Sequence, residues 1–312
     1  MVELAVNRAI DDIASGNMRR ELRKLVDYGR HFSTGTFPHD LFTLLLTMLS
    51  EKDHPYFAVA ERAIAQVDRR YVTDFEINLG YESMSLGAGA LRHCHDETGC
   101  WLPWILGLDP AKCRPDLLTL PMEKGVKSFI LLSRDPNPVL VSAFCHAAPR
   151  AAFFLAAPDA AFTEKLLSAL RMNTNLCYIP VRRDGTFVSG TRFRQFLLPY
   201  TPCRILDEKA AKALMAEDDL WAPGDPEAFC LSFFADKRVS DEVRKAFDDF
   251  LIDRPIHPNP PLIPVEVGMD ILGVERVMAR DPSAAFSVPD EYDLSAFMLP
   301  GPGGSLDLEF LL

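Results

Sequence analysis

No apolar run in this 312-residue chain is long enough to cross a bilayer. The longest lies near Ala151–Pro158, far below the roughly 18–20 residues that a span requires. Basic charge is scarce as well. Lys and Arg number 33 against 44 Asp and Glu, for a net charge of -11. Phosphate backbones are bound largely by Lys and Arg that displace counterions, so neither nucleic acid nor a membrane is an expected partner. The first 18 residues lack the basic start and apolar centre of a secretory leader, carrying Glu3, Asp11 and Asp12 instead. The expected location is cytoplasmic. Disulfide pairing is also poorly served. The seven cysteines (Cys94, Cys100, Cys113, Cys145, Cys177, Cys203 and Cys230) are odd in number and widely spaced. Cys177, between Leu176 and Tyr178, reads as a small core residue.

Several catalytic signatures are absent too. There is no G-x-G-x-x-G, no phosphate-binding P-loop, no H-E-x-x-H and no G-x-S-x-G. No residue is assigned a catalytic role on sequence grounds, and no cofactor is implied by a motif.

What the chain does have is ordinary globular content, 48% hydrophobic and 25% charged, arranged in two patterns. Up to residue 70 the apolar spacing is helical, over Val2–Ala14, Met18–Phe32, Pro38–Leu49 and His54–Arg69. From Tyr71 onward, short apolar runs recur roughly every 25–30 residues, about the length of one strand–helix unit. The first is Val72–Leu79. Others begin near Trp101, Lys127, Ala151, Leu176, Cys203, Phe229 and Leu262. Helical stretches separate them, which implies parallel strands with crossover helices. Val126–Ser133 and Ala151–Ala157 are almost uninterrupted apolar runs, as expected of strands buried on both faces. The expected fold is α/β: a TIM-like or partial (β/α)6–8 barrel with a helical N-terminal cap. An open doubly wound sheet is the alternative. The expected division is 1–70 for the cap, 71–281 for the barrel-like part and 282–312 for a tail containing Pro300-Gly-Pro-Gly-Gly304.

Ligands of such folds bind at the carboxyl ends of the strands. After the first expected strand come Asn78, Tyr81, Glu82, Ser83 and Ser85. Later ends offer Asp109, Lys112, Arg134, Asp135, Asn137, Asp159, Arg182, Arg183, Asp184, Asp207, Asp236, Lys237 and Arg238. Many of these suit turns and helix caps equally well. The candidate ligand-binding set is Asn78, Tyr81, Glu82, Ser83, Ser85, Arg134, Arg182 and Arg183. Gly87 and Gly89, inside a helical stretch, indicate either close backbone packing or close approach of a ligand. Cys94, His95 and Cys100 are a possible metal set. His93 and His95 fall on different helix faces, however, since facing positions are three or four apart.

The stretch Ile77-Asn-Leu-Gly-Tyr81, with Gly87-Ala88, Arg92 and Leu102-Pro-Trp-Ile105, resembles barrel proteins of anaerobic bacteria similar to the radical S-adenosylmethionine superfamily. The resemblance implies a (β/α) barrel preceded by helices. Members of that superfamily hold an iron–sulfur cluster with C-x-x-x-C-x-x-C after the first strand. The matching segment here, Tyr81-Glu-Ser-Met-Ser85, has no cysteine, so the resemblance implies a cluster-free relative. The leading expectation is binding of a small polar or anionic molecule. A metal-dependent lyase or hydrolase is one alternative, and a non-enzymatic interaction or regulatory protein is another.

Overall fold

Two periodicities divide the chain, and the computed structural model realises both. It describes residues 2–13, 16, 18–32, 42–43, 45–51, 54–99, 102–183, 190–217, 228, 230–236, 238–252, 257–258, 261–268, 270 and 274. The expected tail, and with it Cys100, Asp184 and Lys237, lies outside the described residues.

Helices span Val2–Asp12, Met18–Phe32 and Tyr56–Gln66, where the apolar spacing places them. Residues 45–48, within the expected Pro38–Leu49, are also helical. Phe57 and Val59 are the buried residues of the third helix, and the guanidiniums of Arg19 and Arg23 lie over the Phe57 ring.

The expected strand at Val72–Leu79 is helix. Arg69–Glu76 is an α-helix capped by Asp68, whose side chain accepts from the Arg70 N–H. It continues as a wide π-type turn over Ile77–Gly87 and then as an α-helix over Ala88–Thr98. Phe75, Ile77 and Leu79 alternate with polar residues, which imitates a half-buried strand. Tyr71, Phe75, Asn78, Glu82 and Ser85 are among the buried residues, and their steps of four and three define a helical face. Polar Asn78 and Glu82 tolerate burial because both find partners in the segment 149–151. Asn78, Tyr81, Glu82, Ser83 and Ser85 therefore do not follow a strand, and the helical part runs on to Thr98.

The first strand is β1, Ile105–Leu108. It is followed by β2 (Ser128–Leu132), β3 (Ala152–Pro158), β4 (Leu176–Arg182), β5 (Cys203–Leu206), β6 (Cys230–Ala235), β7 (His257–Pro258) and β8 (Pro261–Glu266). The sheet order is β1-β2-β3-β4-β5-β6-β8-β7, with every neighbouring pair parallel except the short β7–β8 hairpin. Each crossover therefore steps one strand in the same direction. Crossovers of one hand stacked this way put their helices along one face. Successive crossover helices do touch: Pro138–Ala147 meets Glu164–Leu170, and Glu208–Glu217 meets Asp241–Ile252. This is the order of a TIM-like or partial (β/α) barrel, with no reversal of the kind that defines a doubly wound sheet. Among the described residues no pairing joins β1 to β8.

Both faces of the strands are buried. One row packs on the crossover helices. Phe233 meets Phe247 edge-on at 5.5 Å between ring centres, and Tyr178 and Phe162 surround Phe193. The N-terminal helices pack against the opposite face at its lower end, touching residues at or just before the strand starts. The Ser83 and Ser128 hydroxyls bond at 2.8 Å. Phe75 clusters with Ala152 and Cys177. Thr174 donates to Asp74 at 2.5 Å, and Arg62 to the Ala228 carbonyl at 2.7 Å. The cap thus closes the amino edge of the sheet and leaves the carboxyl edge to the strand–helix loops. Cys94, Cys145, Cys177 and Cys203 are buried free thiols, and burial pushes the Cys145 thiol up to about 12.

Candidate functional site

The carboxyl edge gathers charge around two buried acids. Asp159 follows β3 and starts a short 3-10 turn. Its Oδ2 accepts from Arg182 Nε at 2.9 Å, and its Oδ1 is paired with Arg192. Asp236 follows β6 and is completely buried. Its Oδ2 accepts from Arg183 Nη1 at 2.8 Å. Arg238 wraps it further, donating its backbone N–H at 2.9 Å and its Nε at 3.0 Å to Oδ1. Arg244 donates to the Asp236 carbonyl at 3.2 Å.

Adjacent residues in an extended strand point opposite ways. Arg182 and Arg183 use that alternation to reach different acids from one strand end. In both pairs the carboxylate lies beneath and the guanidinium above. The Asp159 and Asp236 side chains are 9% and 0% exposed, against 36% for Arg182 and 41% for Arg183. Burial lowers the Arg192 guanidinium from its ordinary value.

Glu266, at the end of β8, is also fully buried. Its carboxylate accepts the Ala235 N–H at 2.8 Å, and its own N–H donates to Asp270 at 2.8 Å. Desolvation pushes Asp270 up to about 6, with the charge of Asp248 adding to the shift.

Other carboxyl-edge candidates do local work. Asn137 caps Pro138–Ala147 through the Val139 N–H, and Asp207 accepts the Ala210 N–H. Asp109 accepts the Ala111 N–H and pairs with Lys112. Arg134 is exposed beyond β2.

The remaining candidates lie at the other end of the sheet. β2 and β3 are five and seven residues long, which separates the two edges by roughly 17–23 Å at about 3.3 Å per residue. Asn78, Tyr81 and Glu82 line a groove of about 580 Å³ together with Glu3, Asp74, Ile77, Pro149 and Arg150. Asn78 Nδ2 donates to the carbonyls of Pro149 at 2.9 Å and Ala151 at 3.1 Å. Arg150 clasps Glu82 Oε1 through Nε at 3.1 Å and through Nη2. Desolvation lowers the Lys127 ammonium, while the nearby Glu82 carboxylate opposes the shift. Ser83 is taken up by Ser128, and the Ser85 hydroxyl is buried without a partner. Gly87 serves packing: a Cβ there would meet the Gly125 carbonyl oxygen at 2.5 Å. Of the eight candidates, three line this groove and two hold the buried acids at the carboxyl edge, while Ser83 and Ser85 are buried in the packing of the cap and Arg134 stands apart on the surface.

Arg150, Arg192, Arg244 and Glu266 were not anticipated. Glu266 carries a signal in retrospect, being an acid within the apolar run Leu262–Val267, where burial demands partners. Arg150 carries none, since only the packing of the cap brings it to Glu82.

Among the described residues no three His, Cys, Asp or Glu side chains are grouped to hold a metal ion. Cys94 is buried with its sulfur 4.0 Å from the Thr98 hydroxyl. No helix among the described residues is long and apolar enough to cross a membrane. No family model, curated protein or solved structure matches the chain.

Proposed function

We propose that the chain binds a small anionic molecule at the carboxyl ends of β3 to β6, with Arg182 and Arg183 as its anchors. The observation that carries this reading is the layering of charge. Asp159 is shared by Arg182 and Arg192, and Asp236 by Arg183 and Arg238. Each acid lies under its arginines, so the more exposed groups of these clusters are guanidiniums in a chain of net charge -11. The acids fix the guanidinium planes in advance, which reduces the side-chain entropy lost on binding. Arginine forks match phosphate and carboxylate oxygens in pairs. The N-termini of the crossover helices point to this edge and favour negative charge there. The resemblance to radical S-adenosylmethionine barrels fits a ligand at this end of the fold without a cluster. Free thiols suit a cytoplasmic setting.

Thermal melting of the full chain with phosphate, pyrophosphate, small carboxylates and nucleoside monophosphates tests the reading. A ligand at a hundred times its dissociation constant stabilises by about 2.7 kcal/mol. That gain should vanish in Arg182→Gln and Arg183→Gln. Melting that no anion shifts would defeat the proposal.

A further inference from the structure

The two faces of the sheet are not closed equally. In the row that packs on the crossover helices, Leu155, Tyr178, Leu231, Phe233 and Leu262 are at most 1% exposed. In the opposite row Phe154, Thr201, Cys230, Ile263 and Val265 are half-buried. The register puts that row on one side, because Phe154 pairs with Cys177, Cys230 with Ile263 and Ser232 with Val265. Cap helices stand over it: Tyr56–Gln66 packs against β8 and Arg69–Glu76 against β4. Half-burial beneath them marks an internal space between cap and sheet. Glu76, the last residue of its helix, reaches into it. Water has access to this side chain, yet protein surrounds it closely enough that desolvation raises its carboxyl. Desolvation also raises the Tyr56 phenol and the Cys177 thiol, and the nearby Cys230 and Glu76 add to both shifts. Four groups from two cap helices and two strands therefore meet around one chamber. Among the described residues Glu76 has no hydrogen bond and no ion pair. We propose that this chamber binds a monoamine with an aromatic or other apolar body, its ammonium group seated on Glu76.

The chemistry follows from a lone carboxylate in a poorly solvated space. Its charge is costly there without a partner, and a cationic ligand removes that cost. An ammonium group also brings three donors and no acceptor, whereas an anion would be repelled. The walls call for an apolar body. Phe75 lies edge-on to Phe154 at 5.3 Å between ring centres, and Ile263 and Val265 continue the same face. Tyr56 adds an aromatic ring that favours a cation. The polar groups of the sheet ask nothing of a ligand: the Thr201 and Ser232 hydroxyls bond each other at 2.7 Å. Burial pushes the Cys230 thiol up to about 11, so it stays uncharged and serves as apolar wall. One ammonium and no second polar group is the ligand that these walls match. The chamber lies beneath the cap, so its occupancy is independent of the arginines at the carboxyl edge.

The test is calorimetric titration of the full chain with 2-phenylethylamine at constant ionic strength, with 2-phenylethanol and 3-phenylpropionate as comparison ligands. The expected result is saturable one-to-one binding of the amine, with the alcohol and the acid at least about tenfold weaker. Glu76→Gln should weaken amine binding about tenfold, the scale of one charge-assisted hydrogen bond. Because it removes a desolvated carboxyl, the variant should melt no lower than the parent. Asp74→Asn, two residues away on the outer groove, and Arg182→Gln, at the anion site, should both leave amine binding unchanged. Location is read independently by thiol alkylation of the parent chain: the amine should slow modification of half-buried Cys230 and leave half-buried Cys113 unaffected. Should Glu76→Gln fail to fold, that protection decides the matter. Absence of saturable amine binding overturns the inference, as do unchanged affinity in Glu76→Gln, equal binding of the alcohol, or an unprotected Cys230.

Discussion

At the carboxyl edge, Asp159 and Asp236 are each covered by two guanidiniums, and cationic groups face outward. At the amino edge, Glu82 meets one guanidinium from Arg150, and the surrounding groove is acidic. Both edges bury a carboxylate, and both give it an arginine. They differ in the number of arginines and in what supplies them. The carboxyl edge draws on the ends of β4 and β6 and on the helices that follow. The amino edge draws on a loop before β3 and a helix that belongs to the cap. Parallel strands add a polarity that antiparallel ones would cancel, since the crossover helices all start at one edge and finish at the other. The lesson is that a buried ion pair does not define a site. The charge of the layer above it does.

The largest effect should come from stripping the cover off Asp236. Replacing Arg183 and Arg238 together with Met leaves a fully buried carboxylate without its arginines. Urea denaturation should show a loss of about 3 kcal/mol or more. The matching change at the amino edge, Arg150→Met, should lose only about 1 kcal/mol, because Lys127 is close enough to Glu82 to compensate in part. Equal losses at both edges would break the comparison.

Next in size is the backbone contact that seats the cap. Gly87→Ala should destabilise by about 1–3 kcal/mol through collision with Gly125, reversing the usual helical gain of about 1 kcal/mol. Gly89→Ala, at an exposed position of the same helix, should show that usual gain. Thermal melts of the pair distinguish packing from propensity. Smaller again, Ser83→Ala should cost about 1 kcal/mol by leaving the buried Ser128 hydroxyl without its partner.

The smallest effect is one of pH. Asp270 holds its proton up to about pH 6 in the folded chain, above its ordinary value of 3.8. Its contribution to stability is therefore full below about pH 4 and lost as pH rises to about 6. Asp270→Asn should melt like the parent at pH 4 and slightly higher at pH 7, by less than about 1 kcal/mol because the group is partly screened by solvent. A difference of the opposite sign would show that the carboxylate is stabilised in the folded state.

Seven of the eight expected strands lie where the apolar runs place them. A buried parallel strand needs an unbroken apolar run, and little else in the chain has one. The mistaken one, Val72–Leu79, had alternation in place of an unbroken run, and the helix there buries Asn78 and Glu82 through bonds to residues 71 and 68 positions away. That error carried the site with it. Arg182 and Arg183 were legible as the end of a strand, whereas the grouping of Asn78, Tyr81 and Glu82 with them rested on the strand that is absent.

By itself the sequence determined seven of the eight strands from β1 onward with the helices between them, and the absence of any cluster motif, while leaving Asn137 and Asp207 open as turn, cap or site residues. The strands and helices follow from local periodicity. Only the tertiary structure decided which edge of the sheet each charged residue occupies. It laid the cap across the amino edge, brought Arg150 to Glu82, and set the arginines of β4 above acids from β3 and β6. Such pairings join residues far apart in the chain, and no local spacing encodes them.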